Sequence, residues 1–466
     1  MTMDAIGIDD VTTAVGGWRS GGTRDVAIRG ASVDSRRVSP GSIFVALRGE
    51  RADGHAYVAD AIRAGAVAVL VDRVVEAPGS AGVPQVVVGD TLRGLGDLAA
   101  WWRGRHSVRV VGVTGSTGKT IAKEMIADVL SRGLRTLRSA GNLNSESGLP
   151  MALLRLDATH EAAVLEMGMY TTGEIARLAE IAAPEVGVVL AVHATHLERA
   201  GSIERIAQAK SELPMALPPD GLAVLNADDP RVLAMRDLTP ARTWTFGLGV
   251  GADVRADEIE SHGLAGTELT LHTPWGTRRM RSGTPGRHLV PHALAAAAVA
   301  EWLGIPFDDV AEALEAGSHA DHRMAVMTAS SGATLVDDTY NASPVSMAAA
   351  LDFLAETPIA PGRRRIAVLG DMLELGPDEE ALHRRIGALA ASSADAIVAV
   401  GDRGAWIGEG AIDAGSSRVH LAVDADEAAV VLERETAPGV GDLVLLKGSR
   451  GIGLDRTVAL MAEDGR

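Results

Sequence analysis

The sequence predicts an α/β protein of three domains. Its 466 residues correspond to roughly three domains, since a domain averages about 150 residues. From Val108 onward, short apolar runs alternate with longer amphipathic runs, and a second series of the same kind follows Gly332. This alternation is typical of βα units around a largely parallel sheet. We therefore place the domains at 1–107, 108–327 and 328–466.

The predicted elements follow in chain order. The first domain is of mixed α/β character and is expected to end in a helix at 92–105. A small antiparallel edge is expected at 253–280, after the parallel strands of the central domain, which are predicted at 108–113, 135–138, 162–166, 187–192 and 222–226. The last domain is expected to be Rossmann-like, with strands at 334–337, 365–369, 396–400 and 443–446. Helices are expected between the strands.

The composition argues against several classes of function. The sequence has no cysteine, which excludes disulfides, thiolate zinc sites and thiol catalysis and makes a cytoplasmic location the simple expectation. The first residues lack the features of a secretory signal, and the longest apolar stretch, 293–303, is shorter than the roughly 20 residues that cross a bilayer. A formal net charge of -17 argues against nucleic acid as a partner. We therefore expect neither a membrane nor a nucleic-acid partner.

A glycine-rich loop between a strand and a helix predicts phosphate binding. After the apolar run 108–113, and before a helical run at 121–130, the chain reads Thr114, Gly115, Ser116, Thr117, Gly118, Lys119 and Thr120. Such glycines let backbone N–H groups close around phosphate oxygens, Lys119 can reach the β and γ phosphates, and Thr120 can bind magnesium. Val113 stands where a Walker loop has glycine. A glycine-rich turn in an ordinary βαβ unit is therefore the alternative.

This loop resembles that of Mur ligases and folylpolyglutamate synthases, and the resemblance extends over nearly the whole chain. The further segments follow one another in the order of the family: Gly141 to Asn144 with Gly148 to Pro150, Glu166 to Met169, His196 to Glu198, Ala209 to Glu212, and Asn226 to Pro230. One such segment alone would be weak evidence. Several in one order favour membership of the Mur ligase family.

The resemblance implies an ATP-dependent ligase that uses two magnesium ions. In this family the γ-phosphoryl group of ATP passes to a substrate carboxylate, and an amine then attacks the acyl phosphate. Lys119 would bind phosphate, Thr120 and Glu166 the first ion, and His196 the second. Lys210 would be carbamylated by carbon dioxide and so become a carboxylate-like magnesium ligand. By itself, a lysine on the helix predicted at 202–217 would be a solvated surface residue.

The resemblance also implies nucleotide contacts on two domains. Asp338 and Asn341 lie in a segment similar to the family's D-D-x-Y-N-A-x-P element, whose second aspartate reaches the ribose of ATP. Arg323 stands where a family arginine meets the nucleotide at the domain junction. His292 stands where an asparagine usually contacts adenine, so we expect ATP use with looser choice of base. A helix N-cap is the alternative for Asp338, and a surface ion pair is the alternative for Arg323.

Segments in the first and last domains narrow the choice within the family. Ser35 and Arg36 lie in a segment resembling the UDP-binding domain of the tripeptide-forming and D-alanyl-D-alanine-adding members. Arg36 could bind a diphosphate as a fork, or it could be an ordinary surface arginine. Leu369 to Gly376 and Lys447 to Arg450 resemble the D-alanyl-D-alanine-adding type. The implied substrates are UDP-N-acetylmuramoyl-tripeptide and D-alanyl-D-alanine, and the expected state is a monomer.

Two other interpretations stay open at this point. One is a different Mur-like ligase, either diaminopimelate- or lysine-adding or of the polyglutamate or cyanophycin type. The other is a nucleotide-binding scaffold without turnover. Against the scaffold stand Glu166, His196 and Lys210, which follow in the order that a magnesium site needs. Substrate-dependent hydrolysis of ATP would separate these classes.

Overall fold

The computed structural model describes residues 4–22, 25–49, 52–194 and 201–462. Sheets with helices packed against them form in the first, second and last thirds of the chain. The fold is therefore the predicted three-domain α/β architecture. Its residue boundaries at 107/108 and 327/328 stay a prediction.

The first domain is built on a mixed sheet of order β2-β7-β6-β5-β4, in which β2 alone is antiparallel to its neighbour. A two-stranded ribbon pairs β1 with β3. The strands are β1 (Ile6–Gly7), β2 (Trp18–Ser20), β3 (Ala27–Ile28), β4 (Ala31–Ser32), β5 (Ile43–Val45), β6 (Ala68–Val71) and β7 (Gln85–Val87). The helices are α1 (Ile8–Ala14), α2 (Val58–Arg63) and α3 (Thr91–Gly104). The Asp90 side chain accepts hydrogen bonds from the backbone N–H groups of Leu92 and Arg93 and so caps α3. The helix begins at Thr91, one residue before its predicted start.

The central sheet has the order β16-β15-β14-β13-β12-β11-β8-β10-β9. It is parallel from β9 to β14, and β15 and β16 form the predicted antiparallel edge. Its strands are β8 (Arg109–Thr114), β9 (Thr136–Arg138), β10 (Ala162–Glu166), β11 (Val186–Val189), β12 (Leu222–Asn226), β13 (Arg242–Gly247), β14 (Val254–Ser261), β15 (Thr267–Thr273) and β16 (Gly276–Ser282). Its helices are α4 (Lys119–Leu130), α5 (Gly148–Leu153), α6 (Glu174–Ala182), α7 (Ile203–Met215), α8 (Pro230–Leu233), α9 (Val290–Trp302) and α10 (Phe307–Ala316).

The last domain is a mostly parallel sheet of order β17-β18-β22-β19-β20-β21. Only the edge strand β17 pairs antiparallel. The strands are β17 (Ala325–Thr328), β18 (Thr334–Asp338), β19 (Arg365–Gly370), β20 (Ala396–Val400), β21 (Val419–Ala422) and β22 (Leu443–Lys447). The helices are α11 (Pro344–Glu356), α12 (Glu379–Ser393), α13 (Gly404–Asp413), α14 (Ala425–Val431) and α15 (Asp455–Met461).

Both faces of the central sheet are covered, which explains why its strands are apolar throughout. Successive side chains of a strand point to opposite faces. Val111 and Val113 of β8 therefore pack with α4 and α9, whereas Val110 packs in the cluster that contains residues of α3 and α6. Helix α9 is rich in alanine and is buried on nearly all sides, as expected for a helix that is apolar all round.

The length and polarity of the helices bear on membrane insertion. Within the described parts of the chain, no helix is at once long and apolar enough to span a bilayer.

Candidate active site

Three neighbouring parallel strands bring the predicted site residues to one edge of the central sheet. In the sheet, β8 lies between β10 and β11. Their registers pair Glu166 with Val113 and Thr114 with Val189, so the three carboxyl ends lie side by side. Ligands of open α/β sheets bind outside such carboxyl ends. The edge that carries the glycine loop is therefore the candidate site.

The glycine loop turns into helix α4 through a backbone conformation that favours glycine. Gly118 has a φ of 77° and directly precedes Lys119, so the helix begins two residues earlier than the sequence predicted. A Cβ atom at Gly118 would lie only 1.8 Å from Nε2 of His292. Both the backbone angle and the space thus require glycine there. The free N–H groups of the first turn of α4 then face the loop.

A polar cluster links Glu166 to the first turn of α4. The Thr120 hydroxyl donates to Oε2 of Glu166 at 2.8 Å, and the Asn144 amide donates to Oε1 at 2.8 Å. Nη2 of Arg323 donates to Oγ1 of Thr120 at 2.9 Å. The glutamate is buried with 2% exposure. The predicted residues Thr120, Glu166 and Arg323 are thus in direct contact.

The Thr120 and Glu166 oxygens suit a small hard cation. Magnesium binds oxygen ligands octahedrally at about 2.1 Å, which places adjacent ligand oxygens roughly 2.9 Å apart. The two oxygens here are 2.8 Å apart. In the part of the chain that the structure describes, no group of three or more His, Asp or Glu side chains could hold a metal ion by itself. A cation at this position would need phosphate, water or a modified side chain to complete its ligands.

Lys119 supplies positive charge inside the loop. Its Nζ donates to the backbone oxygen of Gly115 at 2.8 Å, which folds the side chain back over the loop. Burial lowers the pKa of Lys119, the nearby Glu166 carboxylate raises it, and the Arg323 guanidinium lowers it. Its ammonium group is therefore poorly solvated, and an anion in the loop would relieve that cost.

Lys210 lies on α7 and is buried, contrary to the reading of a solvated surface lysine. Its exposure is 3%, and no described residue forms a hydrogen bond or an ion pair with its side chain. Burial, and then the charge of Lys119, lower the pKa of Lys210 well below the ordinary value for lysine. A buried amine without an acceptor is costly in its charged form, so the neutral and nucleophilic form is favoured.

The segment after β11 is described only in part. His196 lies outside the described residues, so its prediction has no structural test. His193 is described, and its backbone N–H and C=O pair with the hydroxyl of Ser116 in the glycine loop at 2.9 and 3.1 Å. Burial lowers the pKa of His193, the charge of Asp229 raises it, and the charge of Lys210 lowers it. His193 thus links the described start of this segment to the phosphate loop.

Arg323 is held in an unusual backbone segment. Its neighbours His322 and Met324 both have left-handed backbone angles, with φ of 58° and 53°. The guanidinium carbon lies 4.1 Å from the centre of the Tyr340 ring, a cation–π distance. Nδ1 of His322 in turn forms a hydrogen bond with Oδ2 of Asp337 at 2.7 Å. The alternative of a surface ion pair for Arg323 is therefore wrong: the residue joins the loop of the central domain to the last domain.

Asp338 and Asn341 lie beside a buried lysine that the sequence analysis quoted without giving it a role. Nζ of Lys447 donates to Oδ2 of Asp338 at 2.6 Å and to the backbone oxygen of Asn341 at 2.8 Å. The N-cap of the following helix is Ser343 and not Asp338. The alternative reading of Asp338 as a helix cap is therefore wrong.

Two histidines, one just before α9 and one in its first turn, lie between these clusters. His292 contacts Gly118 of the glycine loop, and burial lowers its pKa to about 4. Burial also lowers the pKa of His288, whose electrostatic partners include Asp338 and Lys447. Both rings are therefore neutral at physiological pH.

Ser35 and Arg36 belong to the first domain, and no described contact joins them to this cluster. They form a short 3-10 turn that Asp34 caps. Arg36 is exposed and points its fork back to Asp34, with Nε and Nη2 at 2.9 and 2.8 Å from the two carboxylate oxygens. The pairing lowers the pKa of Asp34 to about 2.

The contacts also reveal residues that the sequence analysis left without a role. Asn144 and Lys447 stood in quoted motifs, but only the structure gives them a partner in the cluster, at Glu166 and Asp338 respectively. Their place in those motifs was the only signal that could have found them.

Comparisons with known proteins match these three regions in order. The model "Mur ligase family, catalytic domain" matches residues 27–103, the Mur ligase middle domain matches 113–300, and the Mur ligase, glutamate ligase domain matches 322–450. A UDP-N-acetylmuramoyl-tripeptide–D-alanyl-D-alanine ligase from Mycobacterium tuberculosis is 41% identical, with 92% of each chain covered.

Two solved structures are similar over most of their length. The MurF structure from Acinetobacter baumannii is 32% identical, with a TM-score of 0.86 and 98% of each chain covered. The MurF ligase from Thermotoga maritima in complex with ADP is 30% identical, with a TM-score of 0.78 and coverage of 92% of this chain and 96% of that one. With these similarities and the cluster around Lys119, Thr120 and Glu166, the chain belongs to the Mur ligase family.

Proposed function

We propose that this chain adds D-alanyl-D-alanine to UDP-N-acetylmuramoyl-tripeptide with the energy of ATP, the last cytoplasmic step in making the UDP-linked pentapeptide precursor of peptidoglycan. The observation that carries the proposal is a cluster in which Arg323 donates to Thr120 and Thr120 donates to the buried Glu166. The charges of Glu166 and Arg323 also act on the ammonium group of Lys119 in the glycine loop. A relative that carries the name of that ligase matches 92% of this chain.

The chemistry requires an activated carboxyl group, because an oxide ion is too poor a leaving group for direct attack by an amine. The tripeptide carboxylate attacks the γ-phosphorus of ATP, ADP leaves, and an acyl phosphate forms. The amino group of D-alanyl-D-alanine then attacks the acyl carbon, phosphate leaves, and the amine gives up one proton. Such transfers depend on positioning and on cations that balance spread negative charge.

The glycine loop is well suited to hold the phosphates of ATP. Residues Thr114 to Thr120 offer backbone N–H groups and the positive end of α4. Lys119, which is half-buried and has no described carboxylate in hydrogen-bond contact, would bind the phosphoryl oxygens and stabilise the charge that develops during transfer. The Thermotoga maritima relative was solved with ADP, which supports the use of an adenine nucleotide.

Two magnesium ions would complete the charge balance. Thr120 and Glu166 would hold the first, and His196 with Lys210 would hold the second. When bound, the ions would neutralise the phosphate oxygens and polarise the phosphorus centre. Asn144 would fix the orientation of the Glu166 carboxylate through its bond to Oε1.

Carbamylation would turn Lys210 from a poor ligand into a suitable one. The neutral amine attacks carbon dioxide, a nitrogen–carbon bond forms, and one proton leaves the nitrogen. The product is an anionic carbamate with two oxygens. The lowered pKa of Lys210 and the lack of a described acceptor favour this step, because both increase the neutral amine. Loss of activity in carbon-dioxide-free buffer, restored by bicarbonate, would test it.

Residues at the domain junction and in the last domain would complete the nucleotide-binding site. Arg323 would reach the phosphates, Asp338 and Asn341 the ribose side, and His292 the adenine. With these contacts on two domains, catalysis would wait for closure of the domains. Because His292 replaces an amide by a neutral imidazole, we expect ATP to be used and GTP to be tolerated more than in enzymes with asparagine.

The first domain would bind the UDP part of the substrate through Ser35 and Arg36. The Arg36 fork is already engaged by Asp34, so a diphosphate would have to displace that carboxylate. We further propose that the enzyme acts as a monomer.

The decisive experiment measures phosphate release from ATP and magnesium with UDP-N-acetylmuramoyl-tripeptide, with and without D-alanyl-D-alanine. We expect release only when both substrates are present, together with the pentapeptide mass. Release with diaminopimelate, lysine or glutamate and a matching acceptor instead would indicate one of the other ligases. If every combination failed although ATP still bound, a scaffold without turnover would replace the proposal.

A further inference from the structure

Lys447 is a buried lysine at the carboxyl end of β22, and the proposed chemistry gives it no role. Its exposure is 2%, and its strand lies between β18 and β19 in the sheet of the last domain. The parallel register places Lys447 directly beside Asp338, the last residue of β18. A buried lysine needs acceptors for its ammonium group, and those acceptors identify what it holds in place.

All the described acceptors of Lys447 lie at the end of β18 and in the loop that follows it. Nζ is 2.6 Å from Oδ2 of Asp338, 2.8 Å from the backbone oxygen of Asn341 and 3.5 Å from the backbone oxygen of Asp338. An ammonium group has three N–H bonds, and two of them meet oxygens at short hydrogen-bond distance, while the 3.5 Å contact is at the outer limit. Lys447 therefore directs its short hydrogen bonds at Asp338 and Asn341 and acts through these two residues.

The pairing leaves Asp338 with one oxygen for an outside partner. Oδ2 is taken by Lys447, and no described residue donates to Oδ1. The side chain is 14% exposed, so this carboxylate is close to the surface of the site. A carboxylate fixed at one oxygen presents the other in a defined direction. That arrangement suits one hydroxyl group better than a freely rotating carboxylate would.

The same loop connects to the phosphate-binding cluster. Tyr340, between Asp338 and Asn341, stacks on Arg323, and Arg323 donates to Thr120 in the first turn of α4. Burial lowers the pKa of His288 in the central domain, the charge of Asp338 raises it, and the charge of Lys447 lowers it. Lys447 thus fixes a loop whose residues lie beside the proposed triphosphate site.

We infer that Lys447 is a positioning residue which sets the recognition of the ribose hydroxyls by holding Asp338 with one free carboxylate oxygen. The inference rests on the proposed ATP site, in which Asp338 faces the ribose. Lys447 should therefore affect the binding of the sugar and leave the binding of the triphosphate unchanged.

The test compares the binding of ATP, 2′-deoxy-ATP, 3′-deoxy-ATP and inorganic tripolyphosphate to the full-length protein by calorimetry. Wild type should bind at least one deoxy analogue about tenfold more weakly than ATP, the size expected for one hydrogen bond to a charged group. In Lys447→Met this preference should fall to within about twofold. Binding of tripolyphosphate should remain as in wild type, which a general collapse of the site would not allow.

Two further variants separate the possible outcomes. Lys123→Met removes another fully buried lysine, paired with Glu124 at 2.8 Å, and should keep the ribose preference. Asp338→Asn should lose it. Loss in Asp338→Asn but not in Lys447→Met would overturn the inference and leave the proposed ribose contact intact. Retention in Asp338→Asn would overturn both, while phosphate release would still decide the ligase function. If Lys447→Met did not fold, Lys447→Gln would be measured against the same criteria.

Discussion

Two buried lysines of this protein have opposite surroundings. Lys447 is 2% exposed and has a carboxylate and two backbone oxygens around its Nζ. Lys210 is 3% exposed and has no described acceptor, and its pKa is lowered by burial and by the charge of another cation, Lys119. Burial is the same in both cases. Only the partners differ.

The difference separates a lysine that organises structure from one that invites chemistry. Removing a lysine from water is costly unless its charge is paired, so Lys447 contributes through the residues it pairs with. The lowered pKa of Lys210 favours its neutral form, which would make it a nucleophile and a candidate for modification. Strongly perturbed groups of this kind are concentrated at functional sites. If the absence of a partner indicates function, the two lysines should respond differently to substitution.

The largest expected effect is on turnover in Lys210→Met. The change should lower kcat by on the order of a thousandfold, comparable to loss of a group that stabilises charge in the transition state. Steady-state phosphate release with both substrates measures it. ATP binding in the absence of magnesium should stay near that of wild type. Turnover within tenfold of wild type would mean that the unpaired lysine has no part in the reaction.

The same comparison predicts opposite changes in stability. Lys447→Met leaves the half-buried Asp338 carboxylate without its partner and should lower the free energy of unfolding by about 3 kcal/mol. Lys210→Met removes a desolvated amine and should raise it by about 1 to 3 kcal/mol. Urea unfolding of both variants beside wild type gives the values. If both were destabilised equally, partners would not distinguish the two lysines.

The sequence predicted the scaffold of this site better than its contacts. The strands at 162–166 and 222–226 were predicted to the residue because each is an apolar run that ends at a polar group or a turn. Glu166 was therefore placed correctly at the carboxyl end of β10. Local patterns suffice where one strand positions one side chain.

The pairs that define the site could not be predicted in this way. Asp338 and Lys447 are 109 positions apart, and Thr120 and Arg323 are 203 apart, so no local pattern connects them. The left-handed backbone of His322 and Met324 is also invisible in a sequence without glycine at those positions. The burial of Lys210 depends on the packing of α7 against the sheet, whereas a lysine on a predicted helix is by itself expected to be a solvated surface residue. In contrast, the pairing of Arg36 with Asp34, two residues away, was open to sequence reasoning.

The pH dependence of stability should report the neutral state of Lys210. In carbon-dioxide-free buffer the folded chain holds fewer protons at this lysine than the unfolded chain, because the folded pKa is lowered. Wild type should therefore gain stability relative to Lys210→Met as the pH rises toward about 10.4, the ordinary pKa of lysine, by at most about 1.4 kcal/mol per pH unit. Unfolding curves between pH 7 and pH 9.5 measure the slope. A flat difference would mean that Lys210 stays charged when folded.

The smallest expected effect comes from a buried acid outside the site. Glu301 on α9 is 8% exposed, its Oε1 accepts a hydrogen bond from Thr273, and its Oε2 has no described partner. Burial raises its pKa to about 7. The folded chain thus holds a proton that the unfolded chain releases near pH 4.5, and wild type should lose roughly 2 kcal/mol relative to Glu301→Gln between pH 5 and pH 8.

Turnover at pH 8 should be the same in Glu301→Gln and wild type, and the exposed Glu312→Gln should show no such loss of stability with pH. Glu301, like Lys210, lacks a full set of described partners. That result would therefore show that the absence of partners does not by itself indicate function. An unpaired buried group would then indicate function only where a second charge or a ligand-binding loop lies beside it. Loss of turnover in Glu301→Gln would instead extend the rule to the far end of α9, whose first turn contacts the phosphate loop through His292.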